Sequence, residues 1–288
     1  MHMKLPHHQL DAFVHVARLG SFSKAAKFLH LSQPALSRRI QELEAFLNIS
    51  VFFRSASGIK LTEEGRRLLK YTHSLGQLEE ELFFDLSKKS DKELGGMIKI
   101  TGHASIMHPV VLPSLAPFLL QHPSVQVTCT VMYLSQIPET LLTGQTDLAI
   151  TDKIIDRADV ENHLIGHEQY VFTESTRVKS RHNVFLDISP GDETTAQFFK
   201  IQKKKPGRYQ RSFLNDEWGL IVGTELGIGR SVKPRHMIYP HSHVKILPGY
   251  KSLIKPVYLH YRRQPYYTVI QQSAIDLLIE NAHKYLGT

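Results

Sequence analysis

The sequence predicts an α/β chain in three parts: a winged helix-turn-helix head, a long linker helix and a two-lobed α/β region. Three observations predict it. Residues 23–47 read as two helices around a short turn, followed by two short apolar segments around a Ser/Gly turn. Leu68, Leu75 and Leu82 then repeat every seven residues. From residue 97 onward, short apolar runs alternate with helical patterns, which implies a parallel sheet with right-handed crossovers.

In the head, Leu10, Phe13, Val14 and Ala17 recur at helical intervals within Gln9–Leu19. Ala25, Ala26, Phe28 and Leu29 form the apolar face of a second helix, with Ser21 or Ser23 placed to cap it, and His30-Leu31 makes the turn. Ser32 offers the next cap, and Pro34 sits in the first turn, where a missing N–H costs nothing. Ala35, Leu36, Ile40, Leu43, Phe46 and Leu47 then give the third helix one buried stripe. Gln33, Ser37, Arg38 and Arg39 face outward near its start. An amide, a hydroxyl and guanidinium groups there can read base edges and hold phosphates in a major groove. Val51–Arg54 and Ile59–Leu61 read as a β-hairpin around Ser55–Gly58, a wing from which Arg54 and Lys60 can reach a backbone.

The run SFSKAAKFLHLSQPALSRRIQELEAFLNISVFFRS, with GIKLTEEG after it, resembles the N-terminal domain of the LysR-type transcriptional regulators almost position by position. The resemblance implies that Ser32, Gln33, Pro34, Ser37, Arg38 and Arg54 lie at double-stranded DNA. Phe53-Arg54-Ser55 departs from the family's usual wing, which often has Glu before this arginine. Residues 62–90 form the expected linker helix. The resemblance implies dimerisation through it, with Leu68, Leu75, Leu78 and Leu82 in the seam. The polar run that ends at Gly95-Gly96 marks a hinge over residues 91–96. This assigns residues 1–61 to the DNA-binding head and 97–288 to an effector domain.

Within that domain, Met97–Thr101, Gln126–Val131 and Asp147–Thr151 read as strands, with helices over Val110–Leu120 and Ile137–Thr143 and a polar loop over Gly102–Met107. LPSLAPFLLQHPSVQV and LLTGQTDLAIT resemble the first half of the regulators' effector domain, which is similar to periplasmic solute-binding proteins. Further on, Leu164–Thr173, Val184–Ile188, Tyr209–Leu214 and Val257–Tyr261 look like strands, and Asn215 looks like the cap of a helix ending near Glu225. Tyr267–Tyr285 closes the chain as a helix. Lobe I then takes about 97–156 and 262–288, and lobe II about 157–261. Ligands of parallel α/β sheets sit at the carboxyl ends of the strands. That edge offers Ala104, Ser105 and Ile106, then Leu134 and Ser135, then Thr151, with Gly223 and Thr224 from the second lobe.

Composition sets the remaining bounds. Residues 1–70 carry eleven Lys and Arg against five Asp and Glu, which suits phosphate binding. No run of about 18 apolar residues suggests a membrane span. The first residues hold no apolar signal core, and the single Cys129, read as a buried strand thiol, cannot form an intrachain disulfide. The expectation is therefore a cytoplasmic protein. His7-His8, His103 with His108, and His241 with His243 lack a further ligand cluster at zinc spacing, so neither metal nor cofactor is expected. No phosphate loop, nucleophile elbow or carboxylate pair suggests an enzyme. The reading is a sequence-specific regulator that acts as a homodimer or homotetramer on DNA, answers a small-molecule effector and, as the resemblance implies, meets RNA polymerase. The alternative is an architectural or orphan regulator without a metabolite. Lys200, Lys203, Lys204, Lys205, Arg208 and Arg211 form a basic run with three open uses: a solvated loop, a cleft wall that selects an anion, or a further DNA contact.

Overall fold

The computed structural model describes residues 5–55, 58–87, 93–203, 206–239 and 242–286, with backbone only at 54, 55 and 87. The head packs α1 (His7–Leu19), α2 (Phe22–Phe28) and α3 (Gln33–Leu47) around Phe13, Val16, Leu36 and Leu43. Ser21 caps α2 and Ser32 caps α3, each hydroxyl accepting a backbone N–H from three residues on. The wing pairs β1 (Phe52–Ser55) with β2 (Gly58–Leu61) in antiparallel register, and its turn residues 56–57 lie outside the described residues.

The linker helix α4 (Glu63–Ser87) starts directly below the wing. A Cβ at Gly65 would come within 2.1 Å of the Val51 carbonyl, so the helix start is pressed against the base of the hairpin. Leu68 and Leu69 are buried in the head's core. This corrects the placement of Leu68 in a dimer seam, because the first turns of the helix are already used by its own domain. Farther along, Leu75 is half-buried and Leu78, Leu82, Phe83 and Leu86 are exposed.

One nine-stranded sheet carries the rest of the chain, in the order β4-β3-β5-β11-β6-β9-β7-β8, with β10 also on β6. Lobe I contributes β3 (Gly95–Gly102), α5 (Ala104–Ile106), a π-helical turn (Met107–Val111), α6 (Leu112–Gln121), β4 (Ser124–Val131), α7 (Ile137–Leu142) and β5 (Leu148–Thr151). Strand β6 (Val160–Ser175) leads into lobe II, made of β7 (Val184–Asp187), α8 (Thr194–Lys200), β8 (Gln210–Phe213), α9 (Glu217–Glu225), β9 (Arg230–Pro234) and β10 (Val244–Ile246). Strand β11 (Leu253–Arg262) returns antiparallel to both β6 and β5, and α10 (Val269–Tyr285) packs back on lobe I. Within the lobes, β3 pairs in parallel with β4 and β5, and β7 with β8 and β9, as crossover connections require.

Several local readings change. The expected polar loop over Gly102–Met107 is helical from Ala104 onward, and Ser105 and Ile106 are buried because α5 continues through the π turn into α6. The continuous helix Ala104–Gln121 is long and apolar enough to cross a membrane by length and composition alone, but Ile106, Met107, Val110, Val111 and Leu115 pack in the core of lobe I. Asp216, not Asn215, caps α9, its carboxylate accepting from the Gly219 N–H. Cys129 is half-buried rather than buried, and burial raises its thiol pKa. Sequence patterning left α8, β9 and β10 unread.

Candidate DNA interface and effector cleft

On α3 the buried stripe turns the opposite face outward. Ser32, Gln33, Pro34 and Arg38 are exposed, and Ser37 and Arg39 half-exposed. Ser23 donates to Gln33 Oε1 (3.0 Å), which orients the amide and leaves its NH2 to face outward chemistry. Arg38 Nε donates to Glu42 Oε1 (3.0 Å), while Gln9 donates to Glu42 Oε2 (3.1 Å). Those two contacts, Gln9 first, hold the Glu42 carboxyl below its usual range. Arg38 is thus braced from behind while its side chain stays 81% exposed. Lys60 is exposed on the wing; the Arg54 side chain lies outside the described residues.

Asp147 of lobe I is the carboxylate on which several contacts with the linker helix converge. Asp147 Oδ1 meets His73 Nε2 (2.9 Å) and accepts from Gln77 (2.7 Å), and Oδ2 accepts the Lys99 N–H (2.8 Å). Tyr266 donates to Glu81 (2.8 Å) farther along the same helix.

A cleft of about 650 Å³ separates the lobes. Ser105, Leu134, Ser135 and Thr151 line it as expected, whereas Ala104, Ile106, Gly223 and Thr224 do not. Ile106 is in the core, and a Cβ on Gly223 would face Leu214 and Leu186 inside lobe II. Thr224 is buried under α9, donating to Leu220 O (2.6 Å) and 2.7 Å from Ser231 Oγ. The cleft meets the N-terminal end of α9, not its C-terminal end, so Glu217 and Leu220 occupy the wall assigned to Gly223 and Thr224.

That wall holds the site's main charge pair. Glu217 of lobe II, 5% exposed, places Oε1 2.6 Å from His103 Nδ1 of lobe I, an ion pair at an angle outside that of a hydrogen bond. Burial works against protonated His103, but the contact with Glu217 and the nearby Glu168 and Asp192 outweigh it and raise its pKa. Beneath lies Glu168, fully buried: Tyr170 donates to Oε2 (3.0 Å), and Oε1 has no hydrogen-bond partner and is 3.7 Å from His236 Nε2. Burial raises the Glu168 pKa against the opposing pull of His236. Lys255 Nζ lies 4.7 Å over the Tyr170 ring and donates to Thr194 (3.1 Å). Tyr133 donates across the cleft to Asn215 Oδ1 (2.7 Å).

Asp152, Asp192, Glu193 and Glu217 outnumber Lys153 and Lys255 on these walls. None of the described members of the basic run lines the cleft: Lys203 and Arg208 are exposed, and Arg211 is held by the buried Asp187. Lys204 and Lys205 lie outside the described residues. The described members of the basic run therefore lend no support to an anion-selecting cleft wall. Among the described residues, no three His, Cys, Asp or Glu side chains gather as a metal-binding group.

Residues 7–66 match the bacterial regulatory helix-turn-helix protein, lysR family, and residues 91–283 match the LysR substrate binding domain. The chain belongs to the LysR family. An uncharacterized HTH-type transcriptional regulator of Bacillus subtilis, YcgK, is 30% identical over 135 residues, 47% of this chain. The chain spans less than half of that relative's length, 41%. Among solved structures, ArgP of Mycobacterium tuberculosis (TM-score 0.74) and full-length LysG of Corynebacterium glutamicum with bound effector Arg (TM-score 0.71) are each 18% identical. Each alignment covers 97% of this chain and 98% of the other, which supports the same fold from head to effector domain.

Proposed function

We propose that this LysR-family chain is a sequence-specific DNA-binding transcriptional regulator whose cleft binds a small molecule bearing a protonated amine. Residues 1–61 act as the DNA-binding head, 62–90 as the dimer helix, 91–96 as the hinge and 97–288 as the effector domain. Ser32, Gln33, Pro34, Ser37, Arg38 and Arg39, with Arg54 and Lys60 of the wing, meet the duplex. The dimer seam is Leu75, Leu78 and Leu82, and the pair of heads reads inverted half-sites. Contact with RNA polymerase follows from the family resemblance alone.

The observation that carries the effector class is Glu217, a buried carboxylate in the cleft whose only ion-pair partner among the described residues is His103 from the opposite lobe. A ligand ammonium seated between Asp192 and Glu217 takes over the role of His103. The tie between lobes then depends on the ligand, and only such differential contact shifts a two-state arrangement. Lobe I passes the change to the linker helix through Asp147.

The test is a thermal-shift panel of amino acids and amines against matched carboxylic acids, together with operator binding. Amines should stabilise the wild type by mass action and alter operator affinity. Glu217→Gln should lose that response while binding DNA normally. A response to carboxylic acids alone would refute the amine, and no response to either class would favour the orphan regulator.

A further inference from the structure

A second cavity, of about 400 Å³, lies where the start of the linker helix meets lobe I. Glu63, Arg66, Arg67 and Lys70 of α4 form one wall, and Arg157, Asp159 and Arg262 of the effector domain form the other. Five cations therefore share two carboxylates. Glu63 is taken by Arg66, through Nε (3.0 Å) and Nη2 (2.7 Å). Asp159 is divided between Arg157 Nε (3.1 Å) and Arg262 Nη2 (3.6 Å).

Among the described residues, Lys70, Arg67 and the Nε of Arg262 make no hydrogen bond to an anion. Lys70 Nζ donates, among the described residues, only to a neutral oxygen, the Arg263 carbonyl (2.6 Å). Arg67 is exposed, and among the described residues it has no hydrogen bond or ion pair. Arg262 lines the cavity and is 9% exposed; its Nη1 donates to the Leu142 carbonyl (3.3 Å), and among the described residues its buried Nε has no partner. Burial lowers the Lys70 pKa and the Arg262 charge adds to it; burial likewise lowers that of Arg262, with Arg157 adding to it. Folding crowds these cations together and strips water from one donor, which is costly unless an anion completes the set. Guanidinium forks and an ammonium around a gap of this size suit the tetrahedral oxygens of a phosphate.

We propose that this junction is a phosphate-binding site, distinct from the effector cleft, where a phosphate group bridges the base of the DNA-binding head to lobe I. The group belongs either to a free phosphate or phosphorylated small molecule, or to the backbone of bound DNA. Either way it fixes the angle between the head and the effector domain, because its ligands come from both sides of the joint.

The experiment uses the full chain and inorganic phosphate, measured by calorimetric titration and thermal shift against sodium chloride at matched ionic strength. Saturable binding is expected, weakened about tenfold or more in Arg67→Ala and abolished in Arg67→Glu. Arg67 is exposed and unpaired, so neither variant disturbs packing. Repeating the titration with duplex present separates the sources. Phosphate that binds equally well to the DNA complex identifies a free anion. Phosphate that competes with duplex, with Arg67→Ala lowering the salt slope of DNA binding by about one, identifies the DNA backbone. If phosphate acts no differently from chloride, or if the Arg67 variants titrate like wild type, the proposal is overturned.

Discussion

Replacing Lys233 by methionine should stabilise the protein and remove much of its alkaline pH dependence. Lys233 sits on β9, 2% exposed, and its Nζ donates to Leu220 O (3.1 Å) and Thr224 Oγ1 (3.2 Å), both uncharged. Burial pulls its pKa from 10.5 to about 7. The unfolded chain keeps the ordinary value, so between these limits unfolding takes up a proton and stability rises with pH. Across the full window this amounts to about 5 kcal/mol, and at about pH 8 the folded lysine still carries a penalty of about 3 kcal/mol. Methionine removes that penalty, fills similar volume and forfeits hydrogen bonds worth about 1 kcal/mol. Thr224 Oγ1 and Leu220 O keep each other as partners, so neither is stranded. The net gain, about 2 kcal/mol, corresponds to roughly 4–8 °C in melting temperature for a domain of this size. Thermal melts of both proteins from about pH 7 to 10 read the difference directly, because every other titrating group is common to both. Parallel curves, or a variant that melts lower throughout, would refute the assignment of Lys233 as a desolvated cation.

Gln33→Ala should relax operator discrimination by about 1–3 kcal/mol in competition binding with mutated half-sites. If Arg38 holds a phosphate, Arg38→Ala should weaken all sequences alike and lower the salt slope by about one; unchanged affinity in both variants would remove α3 from the interface. Leu82→Asp places an ion in the proposed dimer seam, at a cost of several kcal/mol on pairing, so sedimentation should show smaller species that no longer hold operator. His260, hydrogen-bonded at both ring nitrogens by Thr151 and Asn162, has its pKa lowered to about 4 by burial. The unfolded histidine binds its proton near 6.5, so about 3 kcal/mol of stability should be lost as pH falls from about 6.5 to about 4. A steep acid transition that survives unchanged in His260→Gln would exclude that origin.

The head was legible because its information is local. Caps, Pro34 and the spacing of Leu36, Ile40 and Leu43 act within a few residues of one another, and the structure keeps them all. The cleft was half legible. Ser105, Leu134, Ser135 and Thr151 follow from the rule that ligands gather at strand ends, but their opposing wall does not. Glu217 reaches His103 only through the packing of two lobes, and no periodicity records that distance. Gly223 and Thr224 were placed one end of a helix too far along, because a helix pattern fixes its faces more firmly than which end meets a neighbour. Strand β9 escaped notice for a specific reason: Arg230-Ser231-Val232-Lys233-Pro234 holds one aliphatic side chain, and a lysine there reads as surface. The basic run left its uses open, since adjacency of charge says nothing about where Arg211 turns, and it turns to Asp187.

The pairing of β6 with β11 limits how the effector domain can move. Both strands pass from one lobe to the other, and their ladder runs from Arg262 opposite Val160 to Leu253 opposite Tyr170, broken only by an irregularity between Val257 and Tyr258. Near it Gly166 adopts φ +152°, and a Cβ there would strike Leu286 at 2.3 Å. Slipping by one residue would turn every side chain to the wrong face, so sliding is forbidden. What the ribbon permits is torsion, with the irregularity as its softest point. Motion compatible with that ladder turns the lobes about it, like the two ends of a twisted strap, without sliding one strand along the other. Since the lobe I half of β11 also pairs with β5, each degree of swivel is delivered one residue away from Asp147, the carboxylate that the linker helix holds.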